Sequence, residues 1–438
     1  MTSLVTRAQI ILLARTLHVP PERLAHLEKL GPDRLHELQE RMSRTIFDEH
    51  AETFRRISRL VPFIPLSVSM PLIQRIVPPA MTGRAAGAVG ADHPKKAAET
   101  VSLLGTSYAA DCVPYIDPVT VGHLADGVPP QPLVQVVNEI LRRHDYITVG
   151  PFLDYATPTL IEALELGARD DEGLIHASAY AYSATAVNAV VRQLLSGPSQ
   201  RIPRLVRTVL AGPPDLQRAG LSIFARCEPE IIRAVGEVLF SVGSPPAIGT
   251  LITNAIRIGS VPDILTFTGN LSRQALGRMA GNPVFAEQGV MAAIVAALNG
   301  RTEPNYWRGF FALAARTSTE IQQRTVRLLA EMPDANVVDL PMRATESDGW
   351  PMLLQLIAVA DPAVQQRFGT AWAGLSAERR AGLQWHIHEH HLDARLTAIT
   401  EAAPTMSVEE VFFKRRQARR HLGAAGAGSG SADSWSPW

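Results

Sequence analysis

The sequence predicts an all-α fold: an α-solenoid of short helix pairs preceded by a long N-terminal helical arm. Three observations carry that reading. Apolar residues recur at steps of three and four along most of the chain, and nowhere does the two-residue alternation of a half-buried strand persist. Proline opens one candidate helix after another. In the middle of the chain those prolines fall at nearly constant intervals, the mark of a repeat.

The arm comes first, within residues 1–60. Gly31-Pro32-Asp33 opens a pattern in which Leu35, Leu38, Met42, Ile46, Phe54, Ile57 and Val61 recur mainly at helical steps. That spacing predicts an amphipathic helix of about 28 residues, against an average near 11–12. Such an arm packs on the body or pairs with a second copy of the chain.

Residues 61–105 read as a Pro/Gly-rich apolar connection. They hold Pro62, Pro65, Pro71, Pro78 and Pro79, then the small-residue stretch from Met81 to Gly90. The expectation is a compact apolar turn region followed by a flexible loop.

The solenoid is expected from residue 106 to 402. Candidate breaks at Pro198, Pro213, Pro229, Pro245 and Pro262 are separated by 15, 16, 16 and 17 residues. Each interval holds one apolar-periodic segment, such as Ile231/Ile232/Val235/Leu239 or Ile248/Leu251/Ile252/Ile256. One short helix and a turn fill an interval, and two intervals make a helix pair of about 32 residues. Proline at the first helical position loses no needed hydrogen bond and presets φ. A preceding Asp, Thr or Asn caps the free N–H groups, as at Asp117-Pro118, Thr157-Pro158, Asn282-Pro283 and Asp361-Pro362. A helix this short cannot bury its own apolar stripe, so neighbours must stack.

The run Tyr115-Ile116-Asp117-Pro118-Val119, then Val128-Pro129-Pro130-Gln131-Pro132-Leu133-Val134 and Leu141-Arg142-Arg143-His144-Asp145-Tyr146, resembles the repeats in the intracellular N-terminal domain of MgtE-type magnesium transporters. That resemblance spans residues 106–300 and implies a superhelix of short, proline-led helices. The sequence departs from the family in showing neither transmembrane segments nor a regulatory nucleotide-binding tandem. Only the architecture is carried over, with no magnesium site and no transport.

Composition narrows the function classes. The 46% hydrophobic and 19% charged fractions are those of a globular chain. Lys+Arg and Asp+Glu are both 42, so no basic excess points to nucleic acid. The basic residues are nearly all Arg, the usage of a GC-rich bacterial genome. Cys112 and Cys227 sit in no ligand spacing, which predicts free thiols in a reducing compartment. No basic-then-apolar leader follows Met1, and no run reaches the ~20 apolar residues of a spanning helix, so the expected location is the cytoplasm.

Four segments carry chemistry-bearing residues. In His386-Ile387-His388-Glu389-His390-His391-Leu392-Asp393, a helix capped by Ser376 places His386, His390 and Asp393 on one stripe, at about 0°, 40° and −20°. Two histidines one turn apart with a carboxylate hold zinc or iron at some sites. The string is not the HExxH pattern of zinc proteases. The competing reading, a solvated face with Leu383, Ile387 and Ala394 turned inward, is preferred, and no metal or other cofactor is expected. Residues 403–422 form a helix opened by the capping box Ser407–Glu410 and ending in the basic cluster Lys414, Arg415, Arg416, Arg419 and Arg420, which the helix dipole alone favours. Residues 423–438 read as a Gly/Ser/Ala tether ending in Trp435 and Trp438, a candidate docking peptide for a protein partner. The apolar run Val61–Met70 packs between arm and solenoid, inserts at a membrane surface or lines an apolar pocket.

These readings converge on a non-catalytic cytoplasmic scaffold or adaptor that holds a protein partner on the solenoid surface, with the terminal peptide as a second contact. Two alternatives come from other classes: a metal-dependent enzyme built on His386 and His390, and a peripheral membrane or lipid-handling protein using residues 61–81 and the basic helix.

Overall fold

A computed structural model describes residues 3–60, 65–122 and 127–403, and every regular element among them is a helix. The chain divides into two compact units, Met1–Ala297 and Leu298–Trp438. In each, short helices joined by tight turns stack so that a helix packs on those two and three positions further along the chain. That offset is the contact pattern of two-helix repeats.

The first unit opens with the Leu4–Thr16 helix, capped by the Ser3 hydroxyl, which accepts from the Thr6 N–H at 3.0 Å. After the 3-10 segment Pro21–Leu30, Gly31 turns the chain at a φ of 77°, a conformation that side chains disfavour. The arm follows as one helix, Gly31–Leu60, of 30 residues. The first turns of its apolar stripe lie on its own chain: Leu35 is fully buried against Ile10 and Leu13, with Leu38 and Met42 beside them. Polar contacts tie this end of the arm to the repeats. Tyr182 donates to Asp33 at 3.1 Å and stacks on His36 with ring centres 3.8 Å apart.

Residues 66–103 depart from the expected turn and loop. They form three helices, Leu66–Ile76, Pro79–Asp92 and Pro94–Leu103. The small residues of the second are contact points rather than loop formers. A Cβ on Gly83 would stand 2.5 Å from the carbonyl oxygen of Cys112 and 2.9 Å from Cβ of Tyr115. Alanine supplies the helix propensity between the glycines.

From residue 118 onward most prolines mark helix starts, as expected, while Pro341 lies inside the Asp334–Glu346 helix. Pro118, Pro130, Pro158, Pro229, Pro245, Pro304 and Pro362 are first residues of helices, Pro213 is an N-cap, and Pro262 is a second residue. Pro283 opens a short 3-10 turn instead of an α-helix. Pro198 is an exception: the helix there begins at Arg201, after Gln200 in a left-handed conformation.

Side-chain bonds link successive repeats at a nearly fixed offset. Asn188 accepts through its side-chain oxygen from the Glu228 N–H, 40 residues on. Asn254 donates to Gln217 across 37 residues and Asn282 to the Pro245 carbonyl across 37. Arg201, only 2% exposed, donates to the carbonyls of Glu165 and Ala168 at 2.8 and 3.1 Å and pairs with Asp171 at 2.5 Å. A buried charge requires such partners. In the second unit the core is aromatic and aliphatic, with Phe310, Phe311, Leu353, Ile357, Phe368 and Trp372 fully buried. Burying each such side chain contributes about 1.5–3 kcal/mol before the entropy of ordering it.

Candidate functional site

The helix Ala377–Glu389 in the second unit is capped as the sequence predicts. The Ser376 hydroxyl accepts from the Arg379 N–H at 3.3 Å, and Glu378 sits in the first turn. Leu383 and Ile387 face the core at 1% and 0% exposure. His386 stands at the edge of that buried face, with its side chain 22% exposed. Trp350 stacks flat on its ring at 4.5 Å, and Trp385 meets it edge-on at 4.6 Å. The His390 ring lies one turn on, parallel within 10° and 6.4 Å away.

The His386 Nδ1 atom is buried without a hydrogen-bond partner. Its nearest charged neighbour is Glu389 Oε2 at 3.6 Å, beyond hydrogen-bonding range. Burial pushes the His386 pKa below the usual histidine value, while Glu389 pulls it upward. One atom each from His386, Glu389 and His390 lies within 4.8 Å of the others.

Asp393 is not part of this group, contrary to the stripe drawn on the sequence. The helix ends at Glu389, and His391 takes a positive φ of 55°, so the chain leaves the helical path before Asp393. Asp393 instead faces His388 at 3.5 Å. Ala394 is exposed rather than inward; Leu392 and Leu396 fill the core there. Glu389 takes the position that the stripe gave to Asp393. The sequence signal for Glu389 is its spacing, three residues after His386 and next to His390, which brings it beside His386 on the helix surface.

A second surface lies in the first unit. On the Leu66–Ile76 helix, Leu66 and Met70 are buried one turn apart, whereas Leu72 and Ile76 stand on another face at 58% and 69% exposure. Met81, on the next helix, is 61% exposed, and Leu103, at the end of the third, 40%. Gln74 joins the first helix to the end of the third: its amide donates to the Leu103 carbonyl at 3.4 Å and accepts from the Gly105 N–H at 3.0 Å. Arg75 and Lys95 are exposed on the same helices.

Cys112 and Cys227 are free and buried, and burial pushes both thiols up to about 12. They are protonated at neutral pH and poor nucleophiles. The basic cluster Lys414, Arg415, Arg416, Arg419 and Arg420, and the pair Trp435 and Trp438, lie outside the described residues. Among the described residues no helix is long and apolar enough to cross a membrane.

No family model matches the chain. No curated protein matches it either. Among solved structures, a "circular tandem repeat protein with novel repeat topology and enhanced subunit contact surfaces" aligns over 97% of this chain and 98% of its own, at 14% identity and a TM-score of 0.21. At that score the two backbones do not superpose as one fold, and the repeat assignment rests on the helix packing described above.

Proposed function

We propose that the chain is a protein-interaction scaffold whose helical repeats present a binding surface. The observation that carries this reading is the apolar surface of residues 66–105. Leu72, Ile76, Met81 and Leu103 leave large side chains in solvent on three successive helices, while the first of these buries Leu66 and Met70. Large apolar side chains left in solvent within one segment of the chain point to an interaction site in a folded protein. The partner that fits is a protein segment with apolar side chains flanked by acidic ones, to meet Arg75 and Lys95. The resemblance to the MgtE-type superhelical domain concerns repeat architecture and adds no transport activity to this proposal.

The same surface supports a second reading, contact with an anionic membrane, because exposed Leu and Ile beside Arg and Lys also suit a lipid interface. A photo-crosslinking residue at position 76, with the same probe at exposed position 320 as control, separates them. The proposal expects a defined protein adduct from position 76 only. Lipid adducts alone, together with flotation on anionic vesicles, support the membrane reading. Adducts to the chain itself show that the surface pairs two copies.

A further inference from the structure

We propose that His386, Glu389 and His390 form a three-ligand site for a divalent transition-metal ion of the zinc class. The inference is independent of the scaffold reading and uses a different unit of the chain.

Two imidazoles and one carboxylate make a mixed nitrogen and oxygen donor set. Such a set suits zinc, copper or nickel, whereas magnesium and calcium prefer oxygen alone. The three candidate atoms lie within 4.8 Å of one another. In a tetrahedral zinc site, with bonds of about 2.0–2.1 Å, ligand atoms stand about 3.3 Å apart. Closing the difference takes side-chain rotation by Glu389, 44% exposed, and by the partly exposed His390. His386 is the fixed member, held between the stacked Trp350 and the edge-on Trp385.

A second observation points to a missing partner. His386 Nδ1 is buried and makes no hydrogen bond of normal length, the Glu389 carboxylate oxygen paired with it stopping at 3.6 Å. A buried polar nitrogen whose partner stays beyond hydrogen-bond length is costly. A direct Glu389 contact at hydrogen-bond length would satisfy it, yet the two atoms stand apart by more than that. An ion seated between them bonds both. With three protein ligands, the fourth tetrahedral position takes water.

The test uses the purified full chain without an affinity tag, dialysed against chelator and titrated with zinc chloride by calorimetry. The expected result is one zinc per chain. Outer-shell changes typically cost about 10–100-fold in metal affinity, so losing a ligand costs at least roughly tenfold. His390→Ala and Glu389→Gln, both on the partly exposed side of the site, are each expected to show that loss while keeping the parental circular dichroism spectrum. His388→Ala, whose side chain is 83% exposed and paired with Asp393, is expected to bind as the parent does. Copper(II) gives a second readout: bound at His386 it quenches Trp350 and Trp385 fluorescence, and His390→Ala abolishes the quenching. Absence of stoichiometric zinc overturns the proposal. So does binding that survives both substitutions, or that is lost only in His388→Ala. Binding lost in His390→Ala but retained in Glu389→Gln overturns the three-ligand assignment.

Discussion

The indole Nε1 of Trp372 donates to the backbone carbonyl of Val337 at 2.8 Å, across 35 residues of chain. Both residues are fully buried. The offset is one repeat, and it recurs: Arg395 reaches the Ala358 carbonyl across 37 residues, and Arg204 pairs with Asp171 across 33. In these three pairs the later layer donates a side-chain bond to the layer before it; Arg192 to Glu228 and Arg327 to Asp361 run the other way. These bonds fix the register of stacking, which apolar contact alone leaves loose.

Trp372→Phe tests that role. The substitution keeps an aromatic ring but removes the donor and some volume, leaving the Val337 carbonyl buried and unpaired. The expected loss is on the order of 2 kcal/mol, read from the urea midpoint of unfolding. A midpoint equal to the parent's would show that the bond does not hold the layers together.

Two glycines test the helix packing with opposite signs. Gly83→Ala forces a methyl group against the Cys112 carbonyl, 2.5 Å from the ideal Cβ position. Overpacking of this kind costs about 1–3 kcal/mol, against about 1 kcal/mol gained in helix propensity. The variant is expected to melt below the parent. Gly277→Ala, in the Arg273–Ala280 helix, meets nothing within 4 Å and is expected to melt above it. Differential scanning calorimetry on both variants decides.

Glu139 sets an acid limb. Hydrogen bonds from Arg142 and Arg143 lower its pKa from 4.5 to about 2. A carboxylate whose folded pKa is depressed contributes stability that is present above its unfolded pKa. That contribution is lost as pH falls toward the folded value. The urea midpoint should therefore drop between pH 4.5 and about 2, and Glu139→Gln should flatten that part of the curve. An unchanged slope in the variant would assign the acid limb to other carboxylates.

The terminal tryptophans are expected to act in binding and not in folding. Replacing Trp435 and Trp438 by alanine should leave the melting temperature unchanged and weaken partner retention by roughly tenfold or more. A melting temperature well below the parent's would place the indoles in a core.

What was legible in the sequence was local. Pro229 and Pro245 start helices because the φ of proline and its missing N–H act at that residue alone. The long helix from Gly31 was legible because its apolar stripe runs through Leu35, Leu38 and Met42. The helix Pro79–Asp92 was not, because its glycines look like loop residues until the approach of Cys112 and Tyr115 is known. Asp393 was misplaced because a helix that ends through a left-handed His391, with no glycine, gives no local stop signal. The exposed pair Leu72 and Ile76 has the same spacing as the buried pair Leu66 and Met70, so periodicity alone does not say which of them meets solvent.

The most direct test of the scaffold account is the affinity of the chain for the protein crosslinked from position 76, measured by titration with both components purified. Leu72→Asp with Ile76→Asp puts two charges into the apolar surface at positions already 58% and 69% exposed, so folding should be preserved. The account predicts parental circular dichroism and melting, with binding weakened by roughly tenfold or more, as expected for loss of central apolar contacts. Equal affinity in parent and variant would contradict it.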